Sequence, residues 1–386
     1  MAGPLADLVV LDLTRALAGP HCGQMLGDLG ARVIKVETPG GGDDSRSWGP
    51  PFVGPDDDIS TYFLSCNRNK ESVTADLKDG AGKEFLTQLI GRADVLIENF
   101  RTGVMDRLGF GIDRMAEINP RLVVLSITGF GHDGPEGGRP GYDQIAQGEG
   151  GIMSITGTDA DHPQRVGVPI ADLLAGMYGA YGILAALHER DRTGKGAVVR
   201  TSLLAAMVGV HAFQGTRYTV AGEVATAQGN HHPAITPYGA FRTGDGTVQL
   251  SVGSQALWRR FAPLVRLDPD DPRFATNSLR TARRDDLIAI IEAVFAQGSS
   301  EFWLGELEAI GVPAGAIRTL QQVYDWDQTA SQGLLVDVEH PVLGTITLPG
   351  PPLRFDGSAP VEHRPPPALG EHNESVRAWL ETAEHH

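Results

Sequence analysis

The sequence predicts an α/β protein with a parallel sheet in a large domain and a second, smaller α+β domain. Through the first 130 residues, short apolar runs alternate with helical patterns, and the apolar runs are continuous rather than alternating with polar residues. This pattern is typical of a parallel sheet covered by helices on both faces. The chain has 386 residues, which is too many for one ordinary core, and the pattern of its apolar residues changes near residue 225. Both facts favour a second domain.

The elements of the large domain follow in order. The predicted strands are Leu8–Leu13, Arg32–Glu37, Ser72–Leu77, Val95–Glu98 and Leu122–Ile127. Helices are predicted after the first strand, where Met25, Leu26 and Leu29 form an apolar side, and at Lys83–Ile90, Asp172–Glu189 and Leu203–Val210. The Asp172–Glu189 helix carries several glycines. Because each costs ~1 kcal/mol in a helix relative to alanine, we expect close helix packing to compensate.

The smaller domain is predicted at residues 225–325, after a first part of the large domain at 1–224. Tyr238–Arg242 and Thr247–Val252 flank Gly244-Asp245-Gly246, which indicates a hairpin. An amphipathic helix follows at 287–295, where apolar residues recur at helical spacing. Residues 326–386 are rich in proline and are predicted to be a strand-poor, extended crossover that returns to the large domain.

Composition excludes several functional classes. The net charge of -16 argues against nucleic-acid binding, which needs basic patches, although a local basic pocket for an anionic ligand is still compatible with it. Two cysteines, Cys22 and Cys66, cannot form a disulfide framework, so a reducing cytoplasm is expected. We find no signal-peptide pattern and no run near the ~20 apolar residues that span a membrane.

Familiar catalytic motifs are missing or incomplete. Gly129–Gly134 matches the dinucleotide-binding glycine pattern, but Pro135 and further glycines follow, so a loop is predicted instead of a nucleotide-binding helix. No HExxH or convincing histidine ligand pair occurs, and His231 and His232 are adjacent, so no metal site is predicted. No nucleophile elbow of the G-x-S-x-G type is present.

Asp172 stands between an apolar run and the glycine-rich helix. This position predicts an N-cap, and a structural capping role is the simplest interpretation. A second interpretation is that the helix dipole and the free N–H groups keep the carboxylate ionised. An ionised carboxylate is a usable nucleophile. The residues alone leave both interpretations open.

Long segments spread over nearly the whole chain carry a resemblance to a known family. They are AGPHCGQMLGDLGARVIKVE (18–37), NRNKESVTADLK (67–78), ADVLIENFRTGVMDRLGFG (93–111), GYDQIAQGEGGIMSITG (141–157), VGVPIADLLAG (166–176), TGKGAVVRTSLLAA (193–206), GNHHPAITPYGAF (229–241), DPRFATNSLRTARRDDL (271–287) and LGEH (369–372). In this order they resemble the class III CoA-transferases, which include formyl-CoA transferase and carnitine CoA-transferase, with α-methylacyl-CoA racemase as a relative.

The resemblance implies a function and a site. Asp172 matches the aspartate that becomes covalently acylated and then carries coenzyme A as a thioester. Seven further residues match CoA-contacting or active-site positions: Ala18, Lys78, Asn99, Phe100, Arg107, Tyr142 and Asp143. Leu17 stands at another such position but is a different residue there. Acyl-CoA and carboxylic acids are the implied substrates, with no tightly bound cofactor. The implied fold is Rossmann-like, with two chains interlocked as a homodimer.

The sequence also departs from individual members. Formyl-CoA transferase has glutamine at the position of Leu17, arginine at Thr38 and a glycine-rich loop at 228–233, so formate and oxalate are disfavoured as substrates. The racemases have histidine at Tyr142, which disfavours racemisation. The leading prediction is CoA transfer, with succinyl-CoA as donor. The alternatives are a racemase-type isomerase and a catalytically idle CoA-binding protein.

Overall fold

The computed structural model describes residues 3–355 and 362–382. The strands are β1 (Val9–Asp12), β2 (Arg32–Glu37), β3 (Phe52–Val53), β4 (Ile59–Ser60), β5 (Lys70–Thr74), β6 (Val95–Glu98), β7 (Val123–Thr128), β8 (Val198–Ser202), β9 (Tyr238–Arg242), β10 (Thr247–Ser251), β11 (Ala314–Ala316), β12 (Leu335–His340) and β13 (Gly344–Pro349). The α-helices are α1 (Ala18–Asp28), α2 (Thr61–Ser65), α3 (Gly80–Arg92), α4 (Val104–Leu108), α5 (Ile112–Ile118), α6 (Asp143–Glu149), α7 (Ile170–Thr193), α8 (Leu203–Gly209), α9 (Ala212–Ala221), α10 (Gln255–Leu264), α11 (Asn277–Ala282), α12 (Arg284–Phe295), α13 (Ser300–Ala309), α14 (Leu320–Tyr324), α15 (Asp327–Ser331) and α16 (Asn373–Thr382).

The main sheet has six parallel strands in the order β5-β2-β1-β6-β7-β8. Counted along the chain, this is the order 3-2-1-4-5-6 of a Rossmann fold. The predicted α/β fold with a parallel, Rossmann-like sheet is therefore confirmed. In such sheets ligands bind beyond the carboxyl ends of the strands where the order reverses, which here is between β1 and β6.

Both faces of this sheet are buried, which explains its continuous apolar strands. Val10 belongs to the core under α1, α7 and α8, whereas the next residue, Leu11, belongs to the core under α3, α5 and α16. Both side chains are fully buried. Successive strand residues point to opposite faces, so a strand covered on both sides needs apolar residues at consecutive positions.

The α7 helix packs closely against α1, as its glycines predict. A Cβ added at Gly176 would lie 2.5 Å from the carbonyl oxygen of Ala18, so no larger residue fits there without a shift. Among the described residues, α7 is the one unbroken helix whose length and composition would suit a membrane span. Its buried residues pack in one core with those of α1 and the sheet.

The chain divides into two compact units. The larger contains the chain up to Ile152, Arg165–Glu223 and the chain from Asp327 onward, and the smaller contains Met153–Gln164 and Val224–Trp326. The smaller unit therefore takes residues 153–164 in addition to the segment predicted near 225–325. Its sheet has the antiparallel order β11-β10-β9, and its core surrounds Trp258 and Phe295.

Some predicted elements were wrong or shifted. Residues 326–386 are not strand-poor, because β12 and β13 form an antiparallel hairpin whose Val338 and Leu348 pack on Leu64. The prolines around this hairpin hid its alternating pattern. The third predicted strand corresponds to β5, which begins at Lys70 rather than at Ser72. Strand β8 was not predicted. Residues 356–361 and 383–386 of the predicted crossover lie outside the described residues.

Candidate active site

A cavity of about 240 Å³ opens at the carboxyl ends of β1 and β6, at the reversal of strand order. We call it the first cavity. It is lined by Arg15, Ala16, Ala18, Asp44, Asn99, Phe100, Arg101, Thr102, Ile127, Thr128, Gly129, Gly137, Gly138, Arg139, Pro140, Gly141, Tyr142, Asp172 and Leu203. Five of the predicted site residues therefore share one cavity: Ala18, Asn99, Phe100, Tyr142 and Asp172.

Asp172 is not the N-cap of α7. The helix begins at Ile170 after Pro169, which makes no side-chain cap, so Asp172 lies inside the first turn. The carboxylate that serves the helix terminus belongs to Asp143, whose Oδ1 accepts a hydrogen bond of 2.8 Å from the Ala171 N–H. The capping interpretation of Asp172 was thus wrong, and its side chain is available to the cavity. Asp143 also accepts a 2.7 Å hydrogen bond from Gln147.

The environment of Asp172 disfavours its charge. Burial, and secondarily the negative charge of Asp143, raises the pKa of Asp172 to about 7. Desolvation and the neighbouring charge thus oppose the ionised form that the helix dipole favours. A carboxyl group with a pKa near neutrality in a cavity is typical of a functional site. Its carboxylate form is weakly solvated and therefore a better nucleophile.

Asn99 holds the loop after β1 rather than presenting a free amide. Its Oδ1 accepts from the Arg15 N–H at 3.0 Å, and its Nδ2 donates to the Arg15 carbonyl at 2.8 Å. Ala16, the residue after Arg15, has a left-handed backbone with φ of 67°. The Ala16 N–H donates to Asp43 at 3.0 Å, which fixes this uncommon conformation for a non-glycine residue.

A buried ionic cluster lies under the same loop. Asp12 accepts from Lys70 at 2.8 Å and from the Thr14 N–H at 2.9 Å, while Lys35 donates to the Thr14 carbonyl and is 2.8 Å from Asp43. The side chains of Asp12, Lys35 and Lys70 are fully inaccessible to solvent. Burial opposes the charge of Asp12, but the two lysines outweigh it and lower its pKa to about 2. Asp12 is thus charged, and the cluster fixes the loop after β1 through its hydrogen bonds to Thr14.

A second cavity of about 560 Å³ adjoins the first and shares Arg15, Asp44 and Phe100 with it. We call it the second cavity. Its remaining lining is largely apolar, with Lys78 exposed at its edge: Leu13, Val36, Glu37, Thr38, Gly41, Gly42, Ala75, Asp76, Leu77, Lys78, Val104 and Leu108. Lys78 is therefore placed next to the first cavity rather than in it.

Three predicted residues line neither cavity. Arg107 is exposed in the last turn of α4, and Leu17 is buried just before α1. The Leu17 carbonyl accepts from the His21 N–H at 2.8 Å, so its backbone helps to begin α1. Asp143 is also absent from the lining and acts on Asp172 through its charge and its contact with Ala171.

The glycine-rich loop from Gly129 to Gly141 contributes a wall of the first cavity. A Cβ at Gly129 would lie 2.7 Å from the Gly141 nitrogen, so the two ends of the loop cross at a separation that only glycine allows. The sequence predicted this loop but gave no role to it.

Tyr62 is a further residue near Asp172 that the sequence analysis did not identify. Burial, followed by the charge of Asp172, raises the pKa of its phenol, which therefore stays protonated.

His231 and His232 lie in the smaller unit. His231 meets Phe241 edge to face at 5.4 Å between ring centroids, and His232 stacks on Tyr238 at 5.1 Å. Arg284 donates to the carbonyls of His232 and Pro233 and thereby shapes this loop. Within residues 3–355 and 362–382, no group of three or more His, Cys, Asp or Glu side chains is arranged to hold a metal ion.

Comparison with known proteins agrees with this geometry. The profile of CoA-transferase family III matches residues 5–373. The chain belongs to CoA-transferase family III. It is 40% identical to the succinyl-CoA:glutarate CoA-transferase of Mus musculus over 97% of this chain and 85% of that protein, and 39% identical to a succinate–glutarate CoA-transferase of Agrobacterium fabrum over 99% and 96%.

A solved structure of a CaiB/BaiF family protein from Brucella suis has a TM-score of 0.87 and 40% identity, covering 98% of this chain and all of that one. The predicted resemblance to the class III CoA-transferases is thereby confirmed. This family III protein is an enzyme that transfers coenzyme A, and CoA thioesters and carboxylic acids are its substrate classes.

Proposed function

We propose that the enzyme transfers coenzyme A between dicarboxylic acids through covalent intermediates on Asp172. The observation that carries this proposal is the Asp172 carboxyl group, which lines the first cavity with its pKa raised to about 7. A nucleophile that is partly deprotonated at neutral pH and weakly solvated suits attack on a thioester. Its position beyond the strand ends, in the first turn of α7, leaves its oxygens accessible to a substrate.

In the proposed reaction an Asp172 oxygen attacks the thioester carbonyl of the donor. The carbon–sulfur bond breaks, giving a mixed anhydride and the CoA thiolate. The thiolate then attacks the Asp172 Cγ, which releases the donor acid and leaves an aspartyl-CoA thioester. The acceptor carboxylate attacks this thioester, again giving a mixed anhydride and thiolate. Attack of the thiolate on the acceptor carbonyl forms the product and restores the Asp172 carboxylate.

For the acids, we propose succinyl-CoA as donor and a dicarboxylate such as glutarate as acceptor. The support is the names of the mouse and Agrobacterium relatives, both of which pair these two acids. Arg101, which lines the first cavity, supplies positive charge for the carboxylates of these acids. Arg139 is already paired with Glu149 at 2.6 Å.

We also propose a cytoplasmic homodimer. Its support is a band of exposed apolar side chains on α7, α8 and α9, including Tyr181 at 74% and Val220 at 83% exposure. The other members of this band are Met177, Tyr178, Leu184, Val208, Phe213 and Tyr218. Exposed apolar patches of this kind mark protein–protein contacts. Interlocking of the two chains is an implication of the family resemblance.

The cytoplasmic location is supported by the cysteines. Cys22 and Cys66 are free and buried, which suits a reducing compartment.

The covalent mechanism is tested by trapping. When the enzyme is incubated with succinyl-CoA and no acceptor, we expect hydroxylamine to convert Asp172 into a hydroxamate, because an aspartyl thioester is electrophilic and a resting carboxylate is not. Peptide mass spectrometry with and without donor locates the label. Label on Asp143 instead would move the nucleophile, and transfer without any trapped residue would replace the covalent path by direct transfer in a ternary complex.

The pH dependence tests the environment of the nucleophile. We expect kcat/KM for succinyl-CoA to rise with pH through about 7, because the carboxylate form of Asp172 attacks and its pKa is raised. Asp143→Asn removes the neighbouring charge and should shift this midpoint down by roughly one pH unit, with burial keeping it above the ordinary value. An unchanged midpoint in Asp143→Asn would show that the two carboxyl groups are not coupled.

A further inference from the structure

Arg15 stands at the junction of the two cavities. It lines the first cavity together with Asp172 and the second together with Lys78. Its guanidinium lies 5.8 Å from the ring centroid of Phe100, which also borders both cavities. An anion that extends from one cavity into the other would pass this side chain.

The backbone of Arg15 is fixed, while its guanidinium keeps donors available. Asn99 pairs with both its N–H and its carbonyl. The Nη2 atom donates to the Thr38 hydroxyl at 2.8 Å, which orients the guanidinium. The facing anion, Asp44, is 3.9 Å from Nη1, and the Arg15 and Asp44 side chains are 40% and 59% exposed. An ion pair this long and exposed contributes little, so it leaves the guanidinium available to a ligand.

Thr38 positions the guanidinium of Arg15. Its hydroxyl accepts a hydrogen bond from Arg15, which holds the guanidinium at the edge of the second cavity that both residues line. The apolar lining beyond it, including Val36, Ala75 and Leu108, suits a planar base.

We propose that Arg15, held by Asn99 and oriented by Thr38, binds the pyrophosphate of coenzyme A. This assignment rests on the proposed function and adds a binding residue to it. The pyrophosphate links the nucleotide to the pantetheine arm, so it lies between the two ends of the ligand just as Arg15 lies between the cavities. A guanidinium matches phosphate oxygens with paired hydrogen bonds.

The test is calorimetric binding of three ligands to Arg15→Gln: coenzyme A, 3′-dephospho-CoA and pantetheine. We expect a roughly ten- to a hundredfold weaker affinity for the first two by the same factor, because both contain the pyrophosphate. The affinity for pantetheine should not change. Arg114→Gln, an exposed arginine paired with Glu117 within α5, is the matched control and should bind all three as the wild type does.

Two further variants keep the test informative if Arg15→Gln folds poorly. Thr38→Val removes the orienting hydrogen bond and should weaken the same two ligands by a smaller factor. Adding Thr38→Arg to Arg15→Gln should restore binding, because a guanidinium returns to that edge of the cavity.

Three results would overturn the assignment. A loss limited to coenzyme A would place Arg15 at the 3′-phosphate. A loss that includes pantetheine would point to the loop rather than the charge. A raised KM for the acid with unchanged CoA affinity would assign Arg15 to the carboxylate. Transfer activity is measured separately, so a wild type that binds coenzyme A but transfers none contradicts only the proposed function.

Discussion

Asp172→Asn is expected to lower the rate of CoA transfer by at least a thousandfold, because the amide cannot form the anhydride or carry coenzyme A as a thioester. The affinity for coenzyme A should stay within a few fold of the wild type, since the cavity keeps its shape and its cations. Steady-state transfer from succinyl-CoA and calorimetry of CoA binding measure the two quantities. Substantial residual transfer in this variant would contradict the covalent mechanism.

The same substitution should stabilise the protein above pH 7. The raised pKa of Asp172 means that its contribution to stability is fully present below the ordinary aspartate pKa and is lost as pH rises through about 7. Asparagine has no charge to bury, so we expect a gain of about 1 kcal/mol at pH 8, kept small by partial solvent exposure, and little change near pH 4.

Denaturant unfolding at these two pH values measures the effect. Asp327→Asn, which also changes an aspartate in the first turn of a helix but at an exposed position, is the control and should alter neither activity nor stability appreciably. Lower stability of Asp172→Asn at pH 8 would mean that the carboxylate has a stabilising partner, as the capping interpretation required.

Asp12→Ala is expected to reduce the free energy of unfolding by about 3–5 kcal/mol, because it leaves Lys35 and Lys70 buried without the carboxylate that both approach. The loop after β1 also loses its anchor at Thr14, whose N–H and hydroxyl both donate to Asp12. We therefore expect weaker CoA binding in whatever fraction folds. Urea unfolding and calorimetry are the measurements.

The double variant Asp12→Leu with Lys70→Met should recover most of the lost stability, since it removes the unpaired charge as well as its partner. Asp7→Ala, at an exposed position shortly before β1, is the matched control and should change stability by less than about 0.5 kcal/mol. A small effect of Asp12→Ala would mean that Asp43 and the carbonyl partners of the lysines suffice.

Local chemistry made much of the fold predictable. Arg32–Glu37 was predicted with the strand bounds that the structure has, because Val33, Ile34 and Val36 form a short β-branched run of the kind that marks a strand. The helix containing Gly176 was also evident, as was its need for a close neighbour. The β12–β13 hairpin was missed because prolines nearby obscured a weak alternating pattern, and β8 because its run is short and carries Arg200.

The candidate site was predicted residue by residue only through the family resemblance. The residues alone placed Asp172 near a helix terminus but left its role open, since capping depends on which carboxylate reaches the N–H groups. Asp143 does so from 28 positions before Ala171, the neighbour of Asp172 whose N–H it accepts. No local pattern records such a contact.

The sequence by itself determined the strand–helix alternation, the glycine-rich helix and the family, because each of them is recognised from residue types that lie close together in the chain. Only the tertiary structure decided the raised pKa of Asp172, the grip of Asn99 on Arg15 and the buried cluster around Asp12. Each of these joins residues that are far apart in the sequence. Their energies depend on desolvation and on distances of about 3 Å, which exist only once the sheet and its helices have assembled.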